Sequence, residues 1–395
     1  MSKENNKKKR VCIVRQKPYP WQRNMRRNAE TLSKEGYEVD VVCIGLKGQK
    51  KFEIMNGVNV HRVYYSYHRN KVFWYLIDYS VFFLMVSLKL AWLSLRKRLD
   101  VIEVCNVPDF LVFTTIFPKL LGTKVIYYMF EKTEALFTAS FGVSSNHLLT
   151  RMVRCLIKLC ATFANSVIVT DVLVEKQLLE SYHVRSDKIT LVLNVVDESV
   201  FKLEPSDCTE KDDYFTLTIV SGTLKRYGIQ TMIKAFPILL KDVPKLKLNI
   251  VGDGEYLPNL KKMVNALNIK DHVNFTGYIP YEEVPQYIAC ADVCIAPMLD
   301  DVGTPNKVLE YFAMGKATVS SKIPGLVALI NCECLVYFQP GDEVELAERI
   351  LELYHNPEKR AALGALAKEF YGQYRWSTMG QKYLGVYRKL MGINA

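Results

Sequence analysis

The chain alternates short apolar runs with helix-periodic segments, and it does so twice. In the first half VCIVR (11–15), YEVDVVCI (37–44), GVNVHRVYY (57–65), VIEVC (101–105), VIYY (125–128) and SVIVT (166–170) read as strands. A helix is expected from Trp21 to Lys34, with Gly36 as its stop, and further helical segments separate the later strands. Strands this short, and apolar along their whole length, suit a parallel sheet covered on both faces. After the polar stretch FKLEPSDCTEKDDY (201–214), which reads as a linker, the scheme restarts. FTLTIVSG (215–222), LKLNIVGDG (246–254), VNFTG (273–277), DVCIAP (292–297) and ATVSS (317–321) are its strands, with helices expected over Ile229–Leu240 and from Leu257. A last helix, Thr378 to Met391, sets Tyr383, Val386, Tyr387 and Leu390 at helical spacing. The prediction is an α/β chain of two Rossmann-like, doubly wound domains, residues 1–205 and 206–375, facing across a cleft. The terminal helix (376–395) is expected to cross back onto the first domain. A length of 395 residues agrees, being too great for one ordinary core.

Apolar content of 49% and charge of 24% are those of a globular protein. The opening MSKENNKKKR leads into VCIVR and not into an apolar h-region, so no signal peptide is read. The ten cysteines show no metal spacing, and several lie inside apolar strands. The expectation is a reducing compartment with no structural disulfides. Net charge is +11, carried unevenly: residues 1–213 hold 32 Lys+Arg against 23 Asp+Glu, and residues 214–395 hold 20 against 18. A basic first half points to an anionic partner. No nucleic-acid motif accompanies it, which favours an anionic membrane surface.

Four loops after strands of the second half concentrate polar groups: SGTLKRYG (221–228), VGDGE (251–255), GYIPYEEV (277–284) and DDVGTPNKVLEY (300–311). Helix N-termini and glycine loops bind anions through free N–H groups and the helix dipole. With Arg226 and Lys307 they describe a diphosphate pocket. Each loop taken alone is equally well an ordinary glycine turn ahead of a surface helix. Glu310, one turn beyond Lys307, reads either as a charge near a favourable dipole end or as a ligand-binding carboxylate.

In series, SGTLKRYGIQTMIKAF, IVGDGE, VNFTGYIPYEEVPQYIACADVCIAP and TPNKVLEYFAMGKATVSS resemble the family 4 glycosyltransferases of GT-B fold, over most of 215–330. VRQKPYPWQRNMRRNAETLSKEGYEVDVVCIG, NVPDFLVF and NSVIVTDVLVEKQL in the first half resemble a bacterial surface-polysaccharide subgroup. The resemblance implies a retaining, metal-independent transferase of the hexosyltransferase class, without cofactor. It would move a sugar from a UDP- or GDP-linked donor to an acceptor hydroxyl. On that resemblance Arg226 and Lys307 neutralise the donor diphosphate, and Glu310 accepts hydrogen bonds from the ribose. Tyr278 and Ile279 hold the base. Gly222, Thr223, Lys225, Gly252, Gly254, Asp301, Thr304 and Asn306 complete the donor site, and Arg226, Lys307 and Glu131 are the expected catalytic residues. The chain departs from the family at Val302, where a first glutamate is usual and for which Asp300 or Asp301 can substitute. It departs again at Phe130, where relatives carry histidine, while Glu131 and Glu134 remain. Two other readings stay open: a catalytically impaired nucleotide-binding partner protein, and a sugar-nucleotide 2-epimerase. None of the six histidines lies in the four loops, which weighs against the epimerase.

Residues 71–95, KVFWYLIDYSVFFLMVSLKLAWLSL, are apolar and aromatic, and RKR follows. Lys71, Asp78 and Lys89 interrupt the run, so a packed or interfacial helix fits better than a span. Together with Lys7–Arg10, Arg23, Arg26 and Arg27 it predicts a cytoplasmic protein, peripheral at the inner membrane face. The partners are then a nucleotide-sugar donor and a glycan or lipid-linked acceptor, and no nucleic acid.

Overall fold

The computed structural model describes residues 8–64, 72–144, 146–196, 198, 200–202, 208, 213–301 and 306–393. The chain divides into two compact units. One comprises residues up to Leu193 together with those from Gly380 on, and the other runs from Asn194 to Met379.

The first unit opens with β1 (Arg10–Pro18), α1 (Arg23–Lys34), β2 (Glu38–Ile44), β3 (Phe52–Met55) and β4 (Val58–Val63). It continues through α2 (Val72–Arg96), β5 (Val101–Cys105), α3 (Ile116–Leu120), β6 (Lys124–Met129), α4 (Thr133–Phe141) and α5 (Leu148–Phe163). Then come β7 (Ser166–Val169), α6 (Val172–Glu180) and β8 (Ile189–Leu191). The sheet order is β3-β4-β2-β1-β5-β6-β7-β8, parallel except where β3 pairs antiparallel with β4. Period 2 sends alternate residues of each strand to opposite layers. Cys12, Val14, Ile102, Val104, Val125 and Tyr127 thus share one core with the inward face of α2 (Phe82, Val86, Leu90, Leu93) and with α5.

The second unit holds β9 (Phe215–Val220), α7 (Ile229–Leu239), β10 (Leu246–Val251), α8 (Leu257–Ala266), β11 (Val273–Gly277) and α9 (Val284–Ala289). It goes on with β12 (Val293–Ala296), α10 (Asn306–Ala313), β13 (Thr318–Ser321), α11 (Pro324–Leu329) and β14 (Val336–Phe338). After α12 (Glu343–His355) and α13 (Pro357–Gly372), α14 (Trp376–Met391) runs into the first unit. The six strands pair in the order β11-β10-β9-β12-β13-β14 and all ladders are parallel. Every strand therefore ends at one edge of the sheet, where α/β folds place ligands.

In the first unit, the hydroxyl of Tyr387 on α14 donates to the buried Glu103 carboxylate on β5 at 2.8 Å. Burial pushes the Glu103 pKa up to about 7, while hydrogen bonds from Tyr387 and Tyr383 and the charge of Arg15 hold it down.

Three differences from the sequence reading are physical. The hairpin strand β3 and the edge strands β8 and β14 were not expected; they are only three or four residues long, too short to set a period. The stretch 201–214 is not a free linker where it is described. The Phe201 ring lies 5.2 Å from that of Tyr281, and Cys208 is bonded to Cys290, so both described residues belong to the second unit. That bond, and a second joining Cys332 to Cys334, correct the expectation of no disulfides. Partners 82 residues apart leave no spacing signal to read.

Candidate functional site

The loops at the carboxyl edge of the second sheet lock onto one another. Thr223 N–H donates to the Asp253 carbonyl at 3.0 Å, and Tyr256 N–H to the Thr223 carbonyl at 2.9 Å. Gly252, at φ +134°, lies where a Cβ would come within 2.2 Å of the Ser221 carbonyl oxygen. The glycine of this loop is thus required by the close approach of two backbones. Gly254 faces Thr223 in the same way, and Gly222 is exposed between them. Gly228, at φ +70°, starts α7; a Cβ there would overlap the Pro297 carbonyl.

Into this edge the chain brings two cations. The Lys307 ammonium donates to Ser221 Oγ at 2.8 Å and lies 4.7 Å from the centre of the Tyr227 ring. The Arg226 guanidinium lies 5.3 Å from the same ring. One aromatic side chain therefore gathers both, and its negative face offsets part of their repulsion. Lys307 has some exposed surface, yet its ammonium is enclosed, and that loss of water lowers its pKa to about 8. Glu310 pulls the other way. Arg226 Nε and Thr223 Oγ1 are buried without a hydrogen-bond partner, so two polar atoms of this edge are left for another molecule.

Glu310 is buried and accepts from the Tyr281 hydroxyl at 3.1 Å. Its helix is pinned from below. The fully buried Tyr311 hydroxyl accepts from Val220 N–H at 2.8 Å, at the end of β9. This bond fixes where Lys307 and Glu310 stand on α10. Lys316, after the same helix, donates to the carbonyls of Ala289 and Ala291 at 2.6 and 2.9 Å, capping α9.

The other expected residues are spread around these. Lys225 and Asn306 are exposed, Tyr278 is 82% exposed and Ile279 half-exposed, both beyond the end of β11. The Asp301 carboxylate accepts from Gly325 N–H at 3.0 Å, in the first turn of α11. Asp300 is exposed. Val302 and Thr304 lie outside the described residues, as does Lys7. Among the described residues no group of three or more His, Cys, Asp or Glu side chains is placed to hold a metal ion.

In the first unit, Asn106 grips the loop after β6. Its Oδ1 accepts from Phe130 N–H (2.8 Å) and Glu131 N–H (3.1 Å), and its Nδ2 donates to the Glu131 carbonyl (2.9 Å) and to Thr133 (3.0 Å). Tyr127, Thr133 and Asn106 all donate to the buried Asp109 carboxylate. Phe130 is buried between the Tyr128 ring, 4.2 Å away, and the Arg15 guanidinium at 4.1 Å. Glu131 is exposed. Glu134 is not free: Arg154, Gln177 and Tyr182 donate to it, and against burial they hold its pKa below the ordinary value. It joins α4 to α5 and α6.

Sequence reasoning missed Ser221, Tyr227, Tyr281 and Tyr311. The first two stand inside the quoted SGTLKRYG, next to the residues named. Tyr281 and Tyr311 stand inside the quoted GYIPYEEV and DDVGTPNKVLEY, but nothing local shows that they meet Glu310 and Val220.

This arrangement of two parallel-sheet α/β units is the GT-B fold. HepE from Anabaena, solved in complex with UDP, matches it with a TM-score of 0.74 at 16% identity, over 96% of this chain and 100% of that one. The likeness is one of fold. At the level of family, residues 215–356 match the glycosyl transferases group 1. A GDP-mannose-dependent alpha-(1-6)-phosphatidylinositol monomannoside mannosyltransferase from Mycobacterium tuberculosis is 29% identical over 175 residues, 42% of this chain and 46% of the relative. The chain thus spans less than half the length of this relative. An uncharacterized glycosyltransferase from Haemophilus influenzae is 26% identical over 336 residues, 84% of this chain and 85% of the relative.

Proposed function

We propose that the chain is a glycosyltransferase that takes a sugar from a nucleoside-diphosphate donor and passes it, with retained anomeric configuration, to an acceptor hydroxyl. The observation that carries this is the pairing of Arg226 and Lys307 around Tyr227 at the end of β9, with Glu310 one turn further along α10. The diphosphate gains charge as the glycosidic bond breaks. Fixed cations beside it stabilise that state more than the ground state, with no divalent ion required. Glu310, an acceptor with two oxygens, suits a pair of ribose hydroxyls. Tyr278 and Ile279 would flank the base, and Gly222, Thr223 and the N-terminus of α7 the phosphates. A UDP or GDP donor is favoured by the relatives, one named for GDP-mannose and one solved with UDP. The acceptor side would include Glu131, the exposed acid held by Asn106. The basic first unit favours work at the cytoplasmic membrane face, on a lipid-linked or surface glycan.

One observation favours a second reading, a nucleotide-binding partner without turnover. Phe130 fills with a buried ring the position where the resemblance places a histidine. Calorimetry with UDP- and GDP-sugars, run beside an assay of donor hydrolysis, separates the two. Tight binding with slow release of free sugar supports the transferase. Binding with no hydrolysis and no transfer supports the partner, and no binding of either nucleotide overturns both.

A further inference from the structure

The outward faces of the first unit are apolar where a soluble domain is polar. On α2 the residues pointing away from the core are Leu84, Leu88 (73% exposed), Trp92 and Leu95 (71% exposed). They recur at intervals of four, four and three, a straight stripe along three turns. The same pattern repeats on α5, with Leu148, Met152 and Leu159 exposed. Between these helices sits the segment 109–121. The Phe110 ring packs on Phe83 of α2, and Phe113 packs on Phe163 at the end of α5. This segment presents Phe117, Leu120 (81% exposed) and Leu121. The two stripes and the segment between them therefore form one side of the unit.

The charge on that side has a single sign. Residues 80–98, 116–124 and 148–163 hold nine Lys and Arg and no Asp or Glu. Lys97 and Arg154 are engaged by Glu38 and Glu134. Arg96, Arg98, Lys124, Arg151 and Lys158 are exposed. Two cations, Lys89 and Arg96, lie 4.3 and 4.7 Å from the Trp92 ring. Apolar stripes rimmed by cations match an anionic lipid surface, with leucines in the acyl boundary and lysines and arginines at the phosphates. A second copy of the chain fits poorly, since it would set cationic surface against cationic surface. Over Ile77–Arg96 the helix is long and apolar enough to cross a bilayer. Its inward residues Phe82, Val86, Leu90 and Leu93, however, are shared with the sheet core. Crossing would dismantle that core, so the helix lies along the surface.

We propose that the α2–α3–α5 side of the first unit is a membrane-docking face for anionic lipid, seated by its apolar stripes and attracted by its basic rim. This deepens the reading of a transferase at a membrane and rests on that reading for its purpose, though not for its test. It also moves the docking face away from Arg23, Arg26 and Arg27, which lie on α1 and not on these helices.

The full chain is floated with vesicles of phosphatidylglycerol and phosphatidylcholine, and with phosphatidylcholine alone, at low and high salt. Binding to the anionic vesicles, weakened by salt, is expected. Leu88→Glu with Leu95→Glu, and separately Met152→Glu, are expected to lower it by about tenfold or more. Neither should change the thermal shift given by a UDP- or GDP-sugar. In the unaltered chain, brominated lipid should quench tryptophan emission, and Trp92→Phe should remove most of that quenching, which needs no disruptive variant. Binding unaffected by the stripe variants overturns the proposal, as does failure to bind at low salt. Self-association broken by the same variants, without lipid binding, also overturns it. Vesicle binding without any nucleotide-sugar shift leaves the docking face standing and removes the transferase reading.

Discussion

The loop after β6 in the first unit and the carboxyl edge of the second sheet use their buried polar groups in opposite ways. In the first, Asn106 spends its amide on the backbone of residues 130 and 131, Asp109 takes three donors, and Glu134 takes Arg154, Gln177 and Tyr182. These networks are internally closed, and they hold a loop in shape. In the second, Arg226 Nε and Thr223 Oγ1 are buried without partners, and Lys307 is enclosed beside another cation. An edge built this way is costly until an anion completes it. The comparison separates residues that make the fold from residues kept in reserve for a ligand.

The largest effect tests the reserve. Arg226→Ala with Lys307→Ala removes two charge-assisted contacts of about 1.5–3 kcal/mol each, so UDP-sugar or GDP-sugar affinity should fall by about a hundredfold to ten-thousandfold. Melting temperature should stay or rise. Unchanged affinity in calorimetry would break the contrast on its ligand side. Next comes the closed network. Asn106→Ala strands the Phe130 and Glu131 N–H groups and takes one of three donors from the buried Asp109 carboxylate, costing about 2–4 kcal/mol in denaturant unfolding. Nucleotide affinity should be untouched. A stable Asn106→Ala chain would show that the first unit's network is not what holds its loop.

The contrast also explains what was legible in the sequence. Strand and helix alternation is a local signal, so both sheets were readable, as were the loops around Arg226, Lys307 and Glu310. What was not readable is tertiary. Tyr311 reaches Val220 across 91 positions, Tyr281 reaches Glu310 across 29, and Cys208 finds Cys290 across 82. The Asp301 carboxylate also meets the start of α11, an N–H group no motif announces. The outward stripes of α2 and α5 were half visible. Apolar residues at helical spacing cannot reveal which side faces the sheet until the core is known.

Two titrating groups sharpen the comparison, and their signs are mirror images. Lys307 has its pKa lowered from 10.5 to about 8. Between those values the unfolded chain binds the extra proton, so Lys307 penalises the fold in full below pH 8, and the penalty fades as pH rises toward 10.5. Lys307→Met should therefore stabilise the chain at pH 7 by about 1–2 kcal/mol after loss of the bond to Ser221, and near pH 10.5, where only the lost bond counts, destabilise it by about 1 kcal/mol. Unaltered Lys307 should also hold a diphosphate less well as pH climbs above 8, which Lys307→Arg should flatten. Glu103 is raised from 4.5 to about 7. Here the folded chain binds the extra proton between those values, so the penalty is absent below pH 4.5 and complete above pH 7. Glu103→Gln keeps an acceptor for Tyr387 and removes the buried charge, so it should stabilise by up to about 3 kcal/mol at pH 8 and by almost nothing at pH 4.5. Urea unfolding of both variants across pH reads the two slopes directly. If the Glu103→Gln gain fails to grow between pH 4.5 and 7, the hydrogen bonds from Tyr383 and Tyr387 outweigh burial. The carboxylate would then be as well satisfied as Asp109 and Glu134, and the contrast would rest on the carboxyl edge of the second sheet alone.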